Sequence, residues 1–304
     1  MRKLSSKDLK DEITNLSVVV ASWNGTASLR QCLESLETQT DRTSDEIIVV
    51  SNFAPDIPKN GSGVSFHVRP SSFTVPELRR DGIAAARGSV VALIEDHCTV
   101  DAKWITEIKR AHISDAAAIG GAVENKGEGN ALDWAVYFYD YGKFMPPNSA
   151  GVTETLSGLN TSYKREALDE IHDDYQNGFF ETFANEALKR RGHQLSMRPS
   201  AVVFHNKRYE LRSALSHCYH LARSYAAQRV ADASFGKRSI FILGSLFLPI
   251  LLPARVVLSV IKKGRNRGHL LRALPFLILL MSAWSYGELC GYSAGEGESR
   301  ARWR

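Results

Sequence analysis

The chain has 304 residues, 44% of them hydrophobic, with 38 Lys+Arg against 33 Asp+Glu and a formal charge of +5. That length suits one large domain or two ordinary ones, and the apolar share excludes a wholly disordered chain. The charge is divided: residues 206–304 carry 16 Lys+Arg and 5 Asp+Glu, and residues 1–205 carry 22 and 28, which points to an acidic soluble part followed by a membrane-facing basic one, and away from a nucleic-acid partner.

The N-terminal MRKLSSKDLKDEITN has no apolar core, so no cleaved secretory signal is expected. Leu16–Ser22 is a short β-branched run closed by Trp23-Asn24-Gly25, the pattern of a buried strand ending in a turn. From Ala27 to Glu37, Leu29, Cys32, Leu33 and Leu36 fall on one face of a helix. Glu46–Val50 reads as a second buried strand and Val64–Val68 as a third. Leu78–Arg87 is helical, with Gly88 as its C′ residue. Val90–Ile94 is a further strand running straight into Glu95-Asp96-His97. This alternation predicts an α/β domain with a mostly parallel sheet, whose ligands gather at the C-terminal strand ends. Ser22–Asn24, Ser51–Asn52 and Glu95–His97 all fall there. Ala131–Lys143 is aromatic-rich and 145–151 reads as a loop. Helices are expected near Lys164–Ile171 and over Phe180–Arg191, the latter ended by Gly192. Ala201–Phe204 reads as a short last strand before His205. The four cysteines, Cys32, Cys98, Cys218 and Cys290, form no CxxC pair and are too sparse for a disulfide scaffold, as in a reducing compartment.

The tail differs in kind. Ile240–Ile261 is a mostly apolar 22-residue stretch containing Pro249, Pro253 and Arg255. As one helix it would measure roughly 33 Å, enough to cross a hydrocarbon core of about 30 Å. Ala273–Tyr286, extendable to about Tyr292, is a second apolar stretch, and the link 262–272 between them is strongly basic. If both segments spanned, that link would face the side opposite the soluble part. Positive loops prefer the cytoplasm, so segments lying in the interface, or a re-entrant hairpin, would reconcile a basic link with a cytoplasmic catalytic part. Two core helices of a soluble fold are the alternative. The expected division is 1–205 catalytic, 206–238 a basic helical linker and 239–304 a membrane-associated tail.

At a strand end, carboxylates and imidazole are suited to hold a divalent cation that neutralises a diphosphate, which marks Glu95-Asp96-His97. A solvated loop with a helix cap is the plainer reading of the same residues. Five segments in order extend the pattern: LSVVVASWNGTASLRQCLESLETQT, EIIVVSN, PELRRDGIAAARGSVVALIEDH, LSGLNTSYKREALDEI and FFETFANEALKRRGHQL. Together they resemble the family 2 glycosyltransferases of the GT-A fold over most of residues 16–205. The tail AWSYGELCGYSAGEGES is similar to membrane-associated members.

The resemblance implies sugar transfer from a nucleotide-diphosphate donor to an acceptor hydroxyl, with inversion and with Mg²⁺ or Mn²⁺. By it, Ala21, Ser22 and Trp23 line the base and ribose with help from Asn24, and Ser51 lies where members commonly carry a base-reading Asp. Arg79 faces the diphosphate, whereas Arg80 faces solvent. The metal motif is Glu95-Asp96-His97 in place of Asp-x-Asp. By analogy with an Asp-x-His set, Glu95, His97 and the later His205 hold the ion, and Asp96 turns to the ribose or also binds. Glu181 takes the position of the catalytic base, ahead of Glu186, Asp173 and Asp174. Asn160 and Tyr163 contact sugar or acceptor. The Gln-x-x-Arg-Trp of processive synthases does not occur, so transfer of one or a few sugars to a glycan or lipid-linked acceptor is expected. A non-catalytic nucleotide-sugar-binding scaffold and a nucleotidyltransferase are the alternatives. Trp23-Asn24-Gly25-Thr26 is not the Gly-rich phosphate loop that the second would carry.

Overall fold

The structure is a computed structural model that describes residues 15–41, 43–57, 63–126 and 129–302. The stretch read for a secretory signal lies, but for Asn15, outside these residues. The described residues form two compact units, those up to 124 with 144–206, and those of 125–143 with those from 207 onward.

The first unit is an α/β layered structure on a mixed sheet. Its strands run β1 (Leu16–Ser22), β2 (Glu46–Ser51), β3 (Val64–Val68), β4 (Val90–Glu95), β5 (Cys98–Val100), β6 (Ala118–Asn125), β7 (Gly151–Val152), β8 (Thr161–Lys164) and β9 (Leu195–His205). The spatial order is β3-β2-β1-β4-β8-β6-β9-β5, with β7 paired to β9. β3, β2, β1 and β4 are mutually parallel, while β8 runs antiparallel to both β4 and β6. Every residue of β1 and β4 is buried, which is why both strands read as unbroken apolar runs instead of alternating ones. The register sets Ser22 beside Ser51 and Ala21 beside Glu95, so three strand ends are level with one another.

Helices cover the sheet. α1 (Thr26–Glu37) buries Leu29, Cys32, Leu33 and Leu36, the predicted face. α2 (Val75–Ala85) starts three residues before the expected point. Thr74 and Glu77 form a reciprocal capping box, and Pro76 sits in the first turn where its missing N–H costs nothing. Gly88 is not its left-handed C′ residue. The helix ends at Ala85 and Ala86 is already extended, and Gly88 is needed because a Cβ there would stand 2.5 Å from the Asn15 carbonyl oxygen. α3 (Trp104–Ala111), α5 (Arg165–Glu170) and α6 (Glu181–Arg190) complete this unit. α6 does end on a left-handed Gly192, at φ 86°. One core cluster joins Val19, Val50, Leu93, Tyr163, Phe179 and Leu188. The last strand is much longer than the expected Ala201–Phe204. β9 has 11 residues, and Pro199 with the polar alternation of Ser196 and Arg198 concealed its first half.

In the second unit, the aromatic segment forms α4 (Ala131–Asp140). It is followed by α7 (Leu211–Arg229), α8 (Phe235–Ser245), α9 (Leu248–Lys263), α10 (Arg267–Ala294) and α11 (Ser299–Arg302). The expected single helix over 240–261 is broken: α8 and α9 meet at a bend of 65°. Pro249 has no N–H to give the Ser245 carbonyl four residues back. The Ser285 hydroxyl of α10 donates to that carbonyl instead, at 2.6 Å. α10 has 28 residues, is long and apolar enough to cross a membrane, and has 39% of its apolar window buried. Its Glu288 is buried and accepts from Trp284 Nε1 at 2.9 Å and from the Tyr292 hydroxyl at 2.8 Å.

Candidate active site

The level ends of β1 and β4 create the site. Asp96, the residue after β4, is 0% exposed. Its carboxylate accepts from the Ser22 hydroxyl and from the backbone N–H groups of Trp23 and Asn24, each at 2.8 Å, and from Asn24 Nδ2 at 2.6 Å. Burial pushes its carboxyl above the ordinary Asp value, against the lowering effect of those hydrogen bonds. Asp96 therefore organises the turn after β1. Ser22, Trp23 and Asn24, expected at the donor, are brought together with it, and Ala21 is buried one residue earlier. Ser51 ends β2, with its hydroxyl donating to the Phe53 carbonyl at 2.7 Å.

Glu95 is the last residue of β4 and is almost wholly buried. Arg79 Nη2 donates to Glu95 Oε1 at 2.6 Å and to the Gly158 carbonyl at 3.0 Å, and Arg79 Nη1 donates to Glu181 Oε2 at 3.0 Å. One buried guanidinium thus links the strand-end carboxylate to the first residue of α6. The planar fork of arginine suits such a bridge, which the single point charge of a lysine would not span. Arg80, by contrast, turns to Asp81 at 2.6 Å and keeps only part of its side chain in solvent. Glu186 lies half-exposed against Lys189 at 2.7 Å, and Asp174 pairs with Arg191 at 2.9 Å.

His97 Nδ1 lies 3.5 Å from Glu95 Oε2 and 3.3 Å from Asn24 Nδ2. The rings of His97 and His205 meet edge to face with centroids 5.0 Å apart, because Cys98 and His205 are register partners in β5 and β9. The three residues expected to hold a cation are therefore neighbours. Yet among the described residues no three His, Cys, Asp or Glu side chains are arranged to hold a metal ion. Glu95 is turned to Arg79, and Asp96 is committed to four donors. The donor set does not fit a divalent ion in this arrangement.

Asn160 and Tyr163 lie beneath the site, inside the fold. Asn160 is 1% exposed. Its Oδ1 accepts from Trp104 Nε1 at 2.9 Å, and its Nδ2 donates to the carbonyls of Ala122 and Ala201, both at 2.8 Å. The Tyr163 hydroxyl donates to Asn185 Oδ1 at 3.0 Å, and burial raises its pKa above the ordinary phenol value. Gly158 was not singled out in the sequence. A Cβ there would stand 2.7 Å from the Glu181 carboxyl carbon, so a larger residue would push that carboxylate out of its place against Arg79. Its place within the segment LSGLNTSYKREALDEI was the available signal. A separate cavity of about 1210 Å³, lined by Asn15, Arg87, Lys109, His112, Lys164 and Arg165 among others, opens at the opposite end of the strands.

Solved structures with this architecture include a mannosyltransferase, PcManGT from Pyrobaculum calidifontis, in complex with GDP-Man and Mn²⁺. It is 14% identical, with a TM-score of 0.55 over 91% of this chain and 87% of that one. A second is GalNAc-T7 with UDP, GalNAc and Mn²⁺, 16% identical with a TM-score of 0.51. That match covers 66% of this chain and only 44% of GalNAc-T7. No curated protein matches the sequence significantly. The family described as Glycosyl transferase family 2 matches residues 17–172, just over half of the 304. With those motifs seated on a GT-A-like sheet, the chain belongs to glycosyl transferase family 2 and is a glycosyltransferase.

Proposed function

We propose that the chain transfers one or a few sugars from a nucleotide-diphosphate donor to an acceptor hydroxyl, non-processively and with inversion at the anomeric carbon. The observation that carries this reading is the Arg79 bridge, which holds Glu181 beside the ends of β1 and β4. In the proposed reaction the Glu181 carboxylate takes the proton of the acceptor hydroxyl. That oxygen attacks the anomeric carbon, and the bond to the diphosphate oxygen breaks on the opposite face. Arg79, paired with Glu95 and Glu181, holds the base carboxylate in place for that step. Ala21, Ser22, Trp23, Asn24 and Ser51 form the floor for the nucleoside, with Asp96 fixing the turn. Asn160 and Tyr163 support the acceptor side from below.

The Mn²⁺ in the two structural relatives is what supports a divalent ion in this reading, and Glu95, His97 and His205 are the side chains that would have to hold it. Since these side chains do not form a coordination set here, no step above is routed through a metal. The apolar helices of the second unit are what supports membrane association, and the proposal takes the catalytic part to be cytoplasmic and the acceptor to be a glycan or lipid-linked sugar. The functional division 1–205, 206–238 and 239–304 belongs to this proposal. A screen of sugar nucleotides by thermal shift, with and without Mn²⁺, followed by a transfer assay with the donor that binds, tests it. A donor that raises the melting temperature and is consumed only with acceptor is expected. Donors that bind but are never transferred would overturn the reading.

A further inference from the structure

The second unit carries an interaction surface of unusual composition. From residue 233 to 287 there is no Asp or Glu, and eight Lys or Arg. Within this stretch, Phe241 and Ile242 pack on a small core with Ala226, Val230 and Tyr292, but other large apolar side chains of α8 and α9 point outward. Phe235 is 87% exposed, Ile240 70%, Ile250 73% and Leu258 67%. Ile250, Ala254, Leu258 and Lys262 recur at a spacing of four, so α9 presents one continuous stripe that ends in a cation. Buried Pro253 and Val260 mark its other side. Scattered single apolar residues are normal on a surface, but a continuous ridge is not.

We propose that the bent pair α8–α9 is an in-plane wedge that inserts into one leaflet of an anionic lipid membrane. This rests on the membrane association proposed above, and not on the chemistry of transfer. The geometry argues against a span. α8 has 11 residues and α9 has 16, lengths of roughly 16 and 24 Å, each short of a hydrocarbon core of about 30 Å. The 65° bend between them prevents their adding into one rod. Backbone groups freed at such a break are tolerated near lipid only if satisfied, and Ser285 satisfies the Ser245 carbonyl.

Charge selects the occupant. Lys237 and Arg238 stand at one end of the pair, and Lys262 and Lys263 at the other, the pattern of an interfacial helix whose cations meet anionic headgroups while its apolar face enters the acyl boundary. A second copy of the chain would bring the same acid-free surface to itself and set cations against cations.

The test uses the full-length chain, floated with vesicles of phosphatidylcholine alone and of phosphatidylcholine mixed with phosphatidylglycerol. Stronger flotation on the mixed vesicles is expected. The double substitution Ile250→Asp with Leu258→Asp should lower partitioning at least about tenfold, from the lost apolar burial alone. Lys262→Glu with Lys263→Glu should remove the preference for phosphatidylglycerol and lower a circular-dichroism melt only slightly, from the two charges reversed in the last turn of α9. Gly268→Cys, measured against the wild-type chain, should react with an impermeant maleimide added outside the vesicles. Protection of that cysteine would mean a span and would overturn the proposal. So would a wild-type chain that floats while both double variants float equally well, which would leave membrane association standing on another surface. A wild-type chain that floats on neither vesicle would overturn both the wedge and the membrane reading. Dimers that the Asp variant dissociates, and that vesicles do not, would assign the surface to a second copy.

Discussion

Glu181→Gln separates a catalytic carboxylate from a structural one. In the fold, the substitution removes one charge-assisted contact, the 3.0 Å bond from Arg79. Arg79 keeps Glu95 at 2.6 Å and the Gly158 carbonyl at 3.0 Å, and the Glu181 side chain is 25% exposed. Its charge also lies at the N-terminus of α6, where a negative side chain contributes about 0.3–1 kcal/mol. The stability cost should therefore be about 1–2 kcal/mol. The chemical cost is larger. An amide cannot accept the acceptor's proton near neutral pH, and general-base catalysis contributes about 10²–10⁴-fold, or roughly 3–5 kcal/mol of barrier. The assay measures turnover at saturating donor and acceptor, using the donor found by thermal shift, beside calorimetric donor affinity and a melting curve. Turnover should fall at least about a hundredfold with donor affinity near that of the wild type. Turnover within a few-fold of wild type would remove Glu181 from the mechanism, and Glu186→Gln, at a half-exposed site, is the matched control.

Further outcomes follow from neighbouring groups. Gly158→Ala would place a Cβ 2.7 Å from the Glu181 carboxyl carbon. Since the flexible carboxylate can swing away, the melting temperature should change little while turnover falls about tenfold or more, which single-turnover kinetics would read. Asp96→Asn exchanges a buried acceptor of four hydrogen bonds for a group that is half donor. We expect a loss of about 2–4 kcal/mol in denaturant unfolding and weakened donor binding. His112 is buried, its Nε2 is 2.8 Å from the Ser162 hydroxyl, and burial followed by the charge of Lys164 lowers its pKa to about 3. Its unfolded value is higher, so the unfolded chain binds the extra proton. The stability from neutral His112 is complete above about pH 6.5 and is lost progressively as pH falls toward 3. His112→Gln should flatten the stability-pH profile between these limits, as seen in urea midpoints.

Much of the first unit was legible in the sequence because its strands are short β-branched runs with both faces covered. Leu16–Ser22, Glu46–Ser51 and Val90–Glu95 state their structure locally. β9 does not, since its first half alternates polar residues around Pro199. The helical character of Ala131–Asp140 depends on local capping by Asn130 and Asp133, but nothing local shows that it packs with α10. Pro249 was visible as a residue inside an apolar stretch. What the sequence did not reveal is that the break would be held by a serine 40 positions from Ser245. At the site, Glu181 was reachable only through the resemblance of FFETFANEALKRRGHQL to the family pattern. The contact between Arg79 and Glu95 was not, because two residues of opposite charge 16 apart meet only once a helix and a strand are seated against each other.

The Arg79 bridge also bears on the order in which the molecule is made. Its three partners lie 16, 79 and 102 residues along the chain. Closing loops of increasing length adds only about 0.6 kcal/mol per doubling, yet that entropy must be lost before the contact returns anything. Arg79 reaches Glu95, Gly158 and Glu181 together only after α2 is docked, β4 is flanked by β8, and the start of α6 is in place. The bridge is thus a lock that closes on an already assembled sheet. Its geometry is complete only when all three elements are seated, and it is lost when any one of them opens locally.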